Sequence, residues 1–190
     1  VGASSGRLIC TEPMMQPQLA FGINLLMAFV VWGMIGARHI WPALRVKPRA
    51  EALRPLLLLH AFRFVGLSFL VPGVVSPDLP AAFARPAAYG DLATSMLALL
   101  GIAMLGSRPG IIVVWVFNVV GTVDLLNAFY QADRLGVGDS PGLQGAAYFI
   151  PTVLVPLLLV THALVFRILL GTDAAVGRQG GLLREAHRCD

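Results

Sequence analysis

Five long apolar stretches, separated by short polar links, constrain the fold of this chain more than any other feature. The stretches run over residues 19–41, 53–75, 89–105, 111–130 and 147–170. A helix needs roughly 20 mostly apolar residues to cross a hydrocarbon core about 30 Å thick, and each stretch is close to that length. The third is the shortest and carries Asp91, Thr94 and Ser95. The pattern predicts an all-α integral membrane protein with five transmembrane helices.

The amino-acid composition supports a lipid environment and excludes several classes of soluble protein. Only 13% of the 190 residues are charged and 57% are hydrophobic, whereas a soluble domain has about 25% charged residues. This balance excludes a disordered chain and an ordinary cytosolic enzyme. The formal net charge is +4, but no stripe of basic residues interleaved with aromatic residues is present to bind phosphates and bases. We therefore expect the lipid bilayer as a partner, and no nucleic acid.

The links between the apolar stretches indicate one compact bundle. They cover residues 45–49, 76–80, 107–110 and 139–142, and they are rich in Pro, Gly or charged residues. Links this short make neighbouring helices antiparallel. The sequence therefore predicts a five-helix bundle over residues 19–170, a short external segment over 1–18 and a flexible cytoplasmic tail over 171–190. The first stretch is too long for the apolar core of a signal peptide, so we expect it to be retained.

The distribution of Lys and Arg predicts the orientation of the bundle. One side, with the first and third links and the C-terminus, contains Arg38, Arg45, Lys47, Arg49, Arg54, Arg108, Arg167, Arg178, Arg184 and Arg188. The opposite side contains Arg7, Arg85 and Arg134. Because cytoplasmic loops are enriched in Lys and Arg, we expect an external N-terminus and a cytoplasmic C-terminus, in an inner (plasma) membrane of bacterial type. The expected interfacial aromatic residues agree with this orientation: Tyr89, Tyr130 and Tyr148 outside, and Trp41 inside.

Several polar side chains fall within the predicted spans, where ionisable groups are costly and mark candidate functional sites. The rise of 1.5 Å per residue in a helix divides them into two layers, with Arg63 near the midplane between them. The layer toward the cytoplasm contains His60, His162 and Asn118. The outer layer contains Asn24, Asp91, Asp124 and Asn127.

The outer layer has two interpretations. Arg63 is expected to bond to Asp124, Asp91 or both, with Asp124 as the first partner because its estimated height above Arg63 is about 6 Å against about 9 Å for Asp91. Two aspartates facing one arginine leave one carboxyl to bind a proton, a cation or nothing, which indicates a proton or solute path. Polar and small residues at such positions also commonly hold helices together, so packing is the alternative interpretation.

The two histidines suggest a different chemistry. His60 and His162 lie on separate spans at matched depth, and imidazole is a common axial ligand of haem b between facing bundle helices. In that case Arg63 or Arg54 would offset the haem propionates. The plan is similar in architecture to the small membrane-anchor cytochromes of respiratory enzymes, but no motif matches residue by residue. The alternative is that each imidazole bonds to a helix carbonyl.

Few groups are available for catalysis within the spans. Lys47 is the single lysine and lies in a link, which excludes a retinal Schiff base inside the bundle. Cys10 and Cys189 lie outside the spans and no activated-serine motif is present, so acyl transfer lacks a nucleophile. Whether the protein is an enzyme stays open at this point.

Three functional hypotheses follow from these residues. The first is a haem b or quinone-linked electron carrier with His60 and His162 as iron ligands. The second is a proton-coupled transporter or channel subunit in which Asp91 and Asp124 are protonatable and Arg63 gates them. The third is a scaffold or assembly subunit, in a homo-oligomer or a larger membrane complex, whose polar residues specify packing.

Overall fold

The computed structural model describes residues 16–171, and within this range the chain is helical with no strand. Five helices are long and apolar enough to cross a membrane: α1 (Pro17–Leu44), α2 (Arg49–Leu70), α3 (Ala81–Ala103), α4 (Arg108–Arg134) and α5 (Ile150–Leu170). Two short 3₁₀ turns within Pro141–Tyr148, separated by a kink at Gly145, precede α5. The prediction of five long apolar helices is therefore confirmed. The predicted tail and almost all of the predicted N-terminal segment, with the basic residues and both cysteines they carry, lie outside the described residues.

Two helix boundaries differ from the prediction by five residues or more, each for a local reason. The helix α3 begins at Ala81, eight residues before the predicted start, although Arg85 and Pro86 interrupt the apolar pattern there. Its first turns are held by burial of Phe83 and of the alanines that follow it. The helix α2 ends at Leu70 rather than at residue 75, because Pro72 forces the residue before it into extended backbone.

The helices α2, α3, α4 and α5 form a closed ring in which each packs against its neighbours in sequence and α5 packs against α2. The helix α1 lies outside this ring against α5, and none of its residues from Pro17 to Ile35 is buried. The side chain of Asn24 contacts Tyr148 at one end of the bundle, and that of Arg49 contacts the backbone of Leu169 at the other. We refer to these as the Pro17 end and the Leu170 end.

The interior consists of two apolar clusters with a polar layer between them. The cluster near the Pro17 end includes Phe69, Phe83, Leu125, Ile150 and Leu158. The cluster near the Leu170 end includes Leu53, Leu57, Val114, Phe117 and Val165. The polar layer contains His60, Arg63, Asp91, Asn118 and His162, all buried. Many large apolar side chains instead face outward, among them Leu26, Met96, Ile112, Val123 and Leu126. The ionisable groups of the bundle thus lie in a buried layer, while apolar side chains cover its outer surface.

The helix α2 changes its geometry where it reaches the polar layer. It is α-helical over Arg49–Ala61 and continues as a 3₁₀ helix over Phe62–Leu70. A 3₁₀ run of nine residues is unusual, since runs longer than about three or four residues are uncommon and a long one often marks strain or a functional hinge. Arg63 is the second residue of this 3₁₀ segment.

Candidate functional site

Arg63 lies at the centre of the polar layer and its guanidinium uses all three of its nitrogens. Nε donates to Asp91 Oδ1 over 2.7 Å, and Nη2 forms an ion pair with the same oxygen, also at 2.7 Å. Nη2 also donates to Asp124 Oδ2 over 2.6 Å. Nη1 donates to the backbone oxygen of Gly121 over 3.2 Å and lies 3.3 Å from His162 Nε2. A guanidinium has N–H donors on all three of its nitrogens, and each of these nitrogens has a hydrogen-bond partner here.

The expected pairing of Arg63 with Asp124, Asp91 or both is present with both aspartates, and each accepts one hydrogen bond from the guanidinium. The side chain of Asp91 is 10% exposed and that of Asp124 is 16% exposed. The 3₁₀ segment of α2 places Gly66 directly against the Asp91 carboxylate, so α2 and α3 approach closely at this point.

The contacts of His162 define its protonation. Because a guanidinium only donates, His162 Nε2 must accept from Arg63 and therefore carries no hydrogen. Nδ1 then carries the ring proton and donates to Asn118 Oδ1 over 2.7 Å. The Asn118 amide nitrogen in turn donates to the backbone oxygen of His162 over 3.3 Å. His162 is thus a neutral imidazole with a hydrogen bond at each ring nitrogen. It connects Asn118 to Arg63 and the aspartates, which the sequence placed in separate layers.

His60 extends this network toward the Leu170 end. Its ring lies against that of His162, with 4.1 Å between the ring centroids, and Phe117 contacts both rings. His60 Nε2 lies 3.0 Å from Thr161 Oγ1, whose hydroxyl donates to the backbone oxygen of Leu157 over 2.9 Å. Because the Thr161 hydroxyl uses its hydrogen for this carbonyl, it accepts from His60 Nε2. His60 Nδ1 has no hydrogen-bond partner among the described residues.

Three glycines allow the helices to approach this network. A Cβ atom added at Gly66 would overlap the Asp91 carboxylate, and one added at Gly90 would overlap the Asp124 carboxylate. A Cβ atom at Gly121 would lie 2.7 Å from the His162 ring. Since contacts below 3.0 Å force a neighbour to move, each glycine sets the position of one polar side chain.

The residues of the polar layer do not fit a bis-histidine haem. Such a haem places the porphyrin and its iron between the two imidazoles, whereas carbon atoms in direct contact are about 3.5–4.0 Å apart and the rings of His60 and His162 are separated by 4.1 Å between centroids. Arg63 bonds to aspartates and Arg54 is exposed, so neither is placed for haem propionates. Within residues 16–171, no group of three or more His, Cys, Asp or Glu is arranged to hold a metal ion.

The expectation that Asn24 and Asn127 belong to the buried polar path is wrong. Both residues are exposed, and the Asn24 amide donates to the Tyr148 hydroxyl over 2.8 Å at the outside of the bundle. Asn127 follows Asn118 by nine residues, which is two and a half turns at about 3.6 residues per turn. The two asparagines therefore lie on opposite faces of α4. Asn118 is buried and belongs to the network.

A cavity of about 200 Å³ lies next to the network, toward the Pro17 end. Asp91 and Asp124 are among the residues that line it, together with Asp133 and the rings of Phe21, Phe69, Phe83 and Phe129. Gln144 also lines the cavity, is 1% exposed, and its Oε1 has no hydrogen-bond partner among the described residues. Sequence reasoning missed Gln144 because it lies outside the predicted spans, in a segment where a glutamine is unremarkable.

Within residues 16–171, these features define an all-helical fold with five helices long enough to cross a membrane and an Arg–Asp–Asp–His network inside a ring of four of them. A family model described as a domain of unknown function, DUF8737, matches residues 20–170, so the chain belongs to this family. The match includes every residue of the network. Comparison with curated proteins and with solved structures finds no match.

Proposed function

We propose that this protein spans a bacterial-type inner membrane several times and acts as a proton-coupled transporter or channel subunit, with Asp91 and Asp124 as its protonatable groups. The observation that carries the proposal is one buried guanidinium shared by two carboxylates that line a cavity. The outward-facing apolar side chains of the helices support a lipid environment. The excess of Lys and Arg near the Leu170 end supports a cytoplasmic position for that end.

The charge balance of the cluster favours proton binding. One guanidinium and two carboxylates carry a net charge of −1 when all are ionised, and an uncompensated charge in an apolar interior is costly. A proton that enters from the cavity neutralises one carboxylate and leaves the other paired with Arg63. The cluster therefore has two arrangements of similar charge, in which the proton resides on Asp91 or on Asp124.

The position of the network between the two apolar clusters favours gated access. The cavity connects it toward the Pro17 end. Toward the Leu170 end, Leu53, Leu57, Val114 and Phe117 are fully buried around His60 and close the path. A pathway that is open on one side of a charged site and closed on the other is the arrangement that alternating access requires. In this proposal Arg63 is the gate, because its position decides which carboxylate is free.

Proton flux into liposomes tests the proposal. Purified protein in vesicles that contain a pH-sensitive dye should admit protons when a potassium diffusion potential is imposed, well above protein-free vesicles. Asp124→Asn should lower this flux by about tenfold or more, as expected for loss of a proton-carrying group. Asp78→Asn, which changes an exposed carboxyl in a loop, is the matched control and should not change the flux. Flux equal to that of empty vesicles, or unchanged in Asp124→Asn, would refute the proposal.

A structural role is the second candidate function, because all three guanidinium nitrogens of Arg63 have hydrogen-bond partners and three glycines pack against the network. A scaffold or assembly subunit of a homo-oligomer or larger membrane complex would use such a network to fix helix packing. For a scaffold, Asp124→Asn would reduce stability or assembly while proton flux stays at background in all variants. The liposome experiment therefore separates the two candidates.

A further inference from the structure

We infer that the cavity beside Asp124 binds a small organic cation, namely a protonated amine that carries one compact apolar group. This inference rests on the proposed function, since it names the solute that exchanges with the proton. It is carried by the hydrogen-bonding character of the cavity wall together with its shape and its aromatic lining.

The charged and amide oxygens that line the cavity are all hydrogen-bond acceptors. They belong to the carboxylates of Asp91, Asp124 and Asp133 and to the amide of Gln144. The Arg63 side chain does not line the cavity and is fully buried behind the two aspartates. An ammonium group has three donors and no acceptor, so it matches this wall, whereas an anion would be repelled by three carboxylates.

Gln144 is the independent sign of a ligand. Its side chain is almost completely buried, it lines the cavity, and its Oε1 has no partner among the described residues. Buried polar groups without a partner are rare because they lose hydration and gain nothing in return. A ligand that donates one hydrogen bond to Gln144 and another to Asp124 satisfies both oxygens.

The rest of the cavity determines the size and character of the ligand. The rings of Phe21, Phe69, Phe83 and Phe129 surround it, and such rings bind an apolar group and attract a cation over their faces. The volume of about 200 Å³ compares with the engineered cavity of about 150 Å³ that binds benzene, and pockets for drug-sized ligands begin at about 300 Å³. One aromatic ring or one short branched chain therefore fits beside the ammonium group.

The inference also explains how solute and proton would be coupled. A proton on Asp124 and an ammonium group beside it would both neutralise the same carboxylate. Because either one satisfies the charge of the cluster, binding of one weakens binding of the other. The amine binds already protonated, and the proton that leaves Asp124 passes to water, so charge and atoms balance at the site.

Equilibrium binding to the detergent-purified full chain tests this inference, with three probes of similar size: phenethylammonium, 2-phenylethanol and 3-phenylpropanoate. Phenethylammonium should bind about tenfold or more tightly than the alcohol, since hydrogen bonds to charged groups are the strong ones, and the carboxylate should not bind. Gln144→Leu should weaken phenethylammonium about tenfold while leaving the alcohol unchanged, and Asp124→Asn should abolish the preference for the cation. Asp78→Asn is the control and should bind like the wild type.

Equal binding of the cation and the alcohol, or an unchanged affinity in Gln144→Leu, would overturn the inference and identify the cavity as a general apolar void. Such a result together with Asp124-dependent proton flux would leave the proposed function standing. Selective binding of the cation without any proton flux would overturn the proposed function and keep the binding site.

Discussion

At the scale of single residues, Arg63 determines how this bundle is joined. A guanidinium in an apolar interior must find an acceptor for each of its donors. Arg63 on α2 finds them in Asp91 on α3, in Asp124 and the Gly121 carbonyl on α4, and in His162 on α5. One side chain therefore links all four helices of the ring, and it is the counter-ion of both aspartates.

The effect of removing Arg63 on stability follows from these contacts. Arg63→Met leaves two carboxylates buried without a counter-ion, and loss of one partner from a buried pair typically costs about 3–5 kcal/mol. The triple variant Arg63→Met with Asp91→Asn and Asp124→Asn should recover a large part of this loss, because no uncompensated charge remains. The free energy of unfolding in mixed micelles measures both effects.

Arg54→Met is the matched control for this series, because Arg54 lies on the same helix and is exposed. Surface substitutions usually change stability by no more than about 0.5 kcal/mol, and we expect that here. A triple variant as unstable as Arg63→Met would mean that the aspartates and Arg63 are not coupled in the folded protein.

The sequence identifies most of the network at this scale, for a definite reason. In spans that are otherwise apolar, Arg63, Asp91, Asp124 and the two histidines are conspicuous, so their type alone marks them. Residue type does not determine direction, and so Asn127 was placed inside although it faces outward. The sequence did not single out Thr161 or Gln144, because a threonine within a span and a glutamine between two spans are both common. Their roles depend on which side chains the fold brings near them.

At the scale of helices, close packing against glycine explains why the network has one geometry. Gly90→Ala places a methyl group into the Asp124 carboxylate, and overpacking of this kind typically costs about 1–3 kcal/mol. It should also displace Asp124 from Arg63 and reduce proton flux. The free energy of unfolding and the flux in liposomes measure the two consequences.

Gly33→Ala provides the contrast within the same protein. Gly33 lies in α1, and nothing lies within 4 Å of a Cβ atom added there. Alanine is a better helix former than glycine by about 1 kcal/mol, so this variant should be slightly more stable than the wild type. A Gly90→Ala variant at least as stable as the wild type would contradict the packing assigned to Gly90.

The helix boundaries show what the apolar pattern detects and what it misses. The pattern finds the part of each helix that is apolar, and all five helices are present where it placed them. It excluded residues 81–88 from α3 because Arg85 and Pro86 break the pattern, yet packing of Phe83 and the neighbouring alanines makes these residues helical. The pattern also gave no sign that α2 becomes a 3₁₀ helix at Phe62, since local pitch depends on contacts such as that of Gly66 with Asp91.

At the scale of the whole molecule, the proposed orientation is a prediction about both surfaces. A reporter fused after Asp190, or inserted in the link at residues 45–49, should be cytoplasmic, and one inserted near Pro80 or Ser140 should be external. The reason is the excess of Lys and Arg near the Leu170 end. Paired reporters that are active in only one compartment each measure this in cells. An external C-terminus would contradict the orientation, and agreement of all four positions would establish it.

The two geometries within α2 have a mechanical consequence for the cavity. A 3₁₀ helix rises about 2.0 Å per residue with three residues per turn, against about 1.5 Å and 3.6 residues in an α-helix. Between Arg63 and Phe69, a change to α geometry would shorten the helix by about 3 Å and turn Phe69 by about 120° around the helix axis. Phe69 is part of the cavity wall, so this winding would open or close the wall while Arg63 stays in place. Rewinding of this segment would thus reshape the cavity without breaking the contacts that Arg63 makes with the other helices.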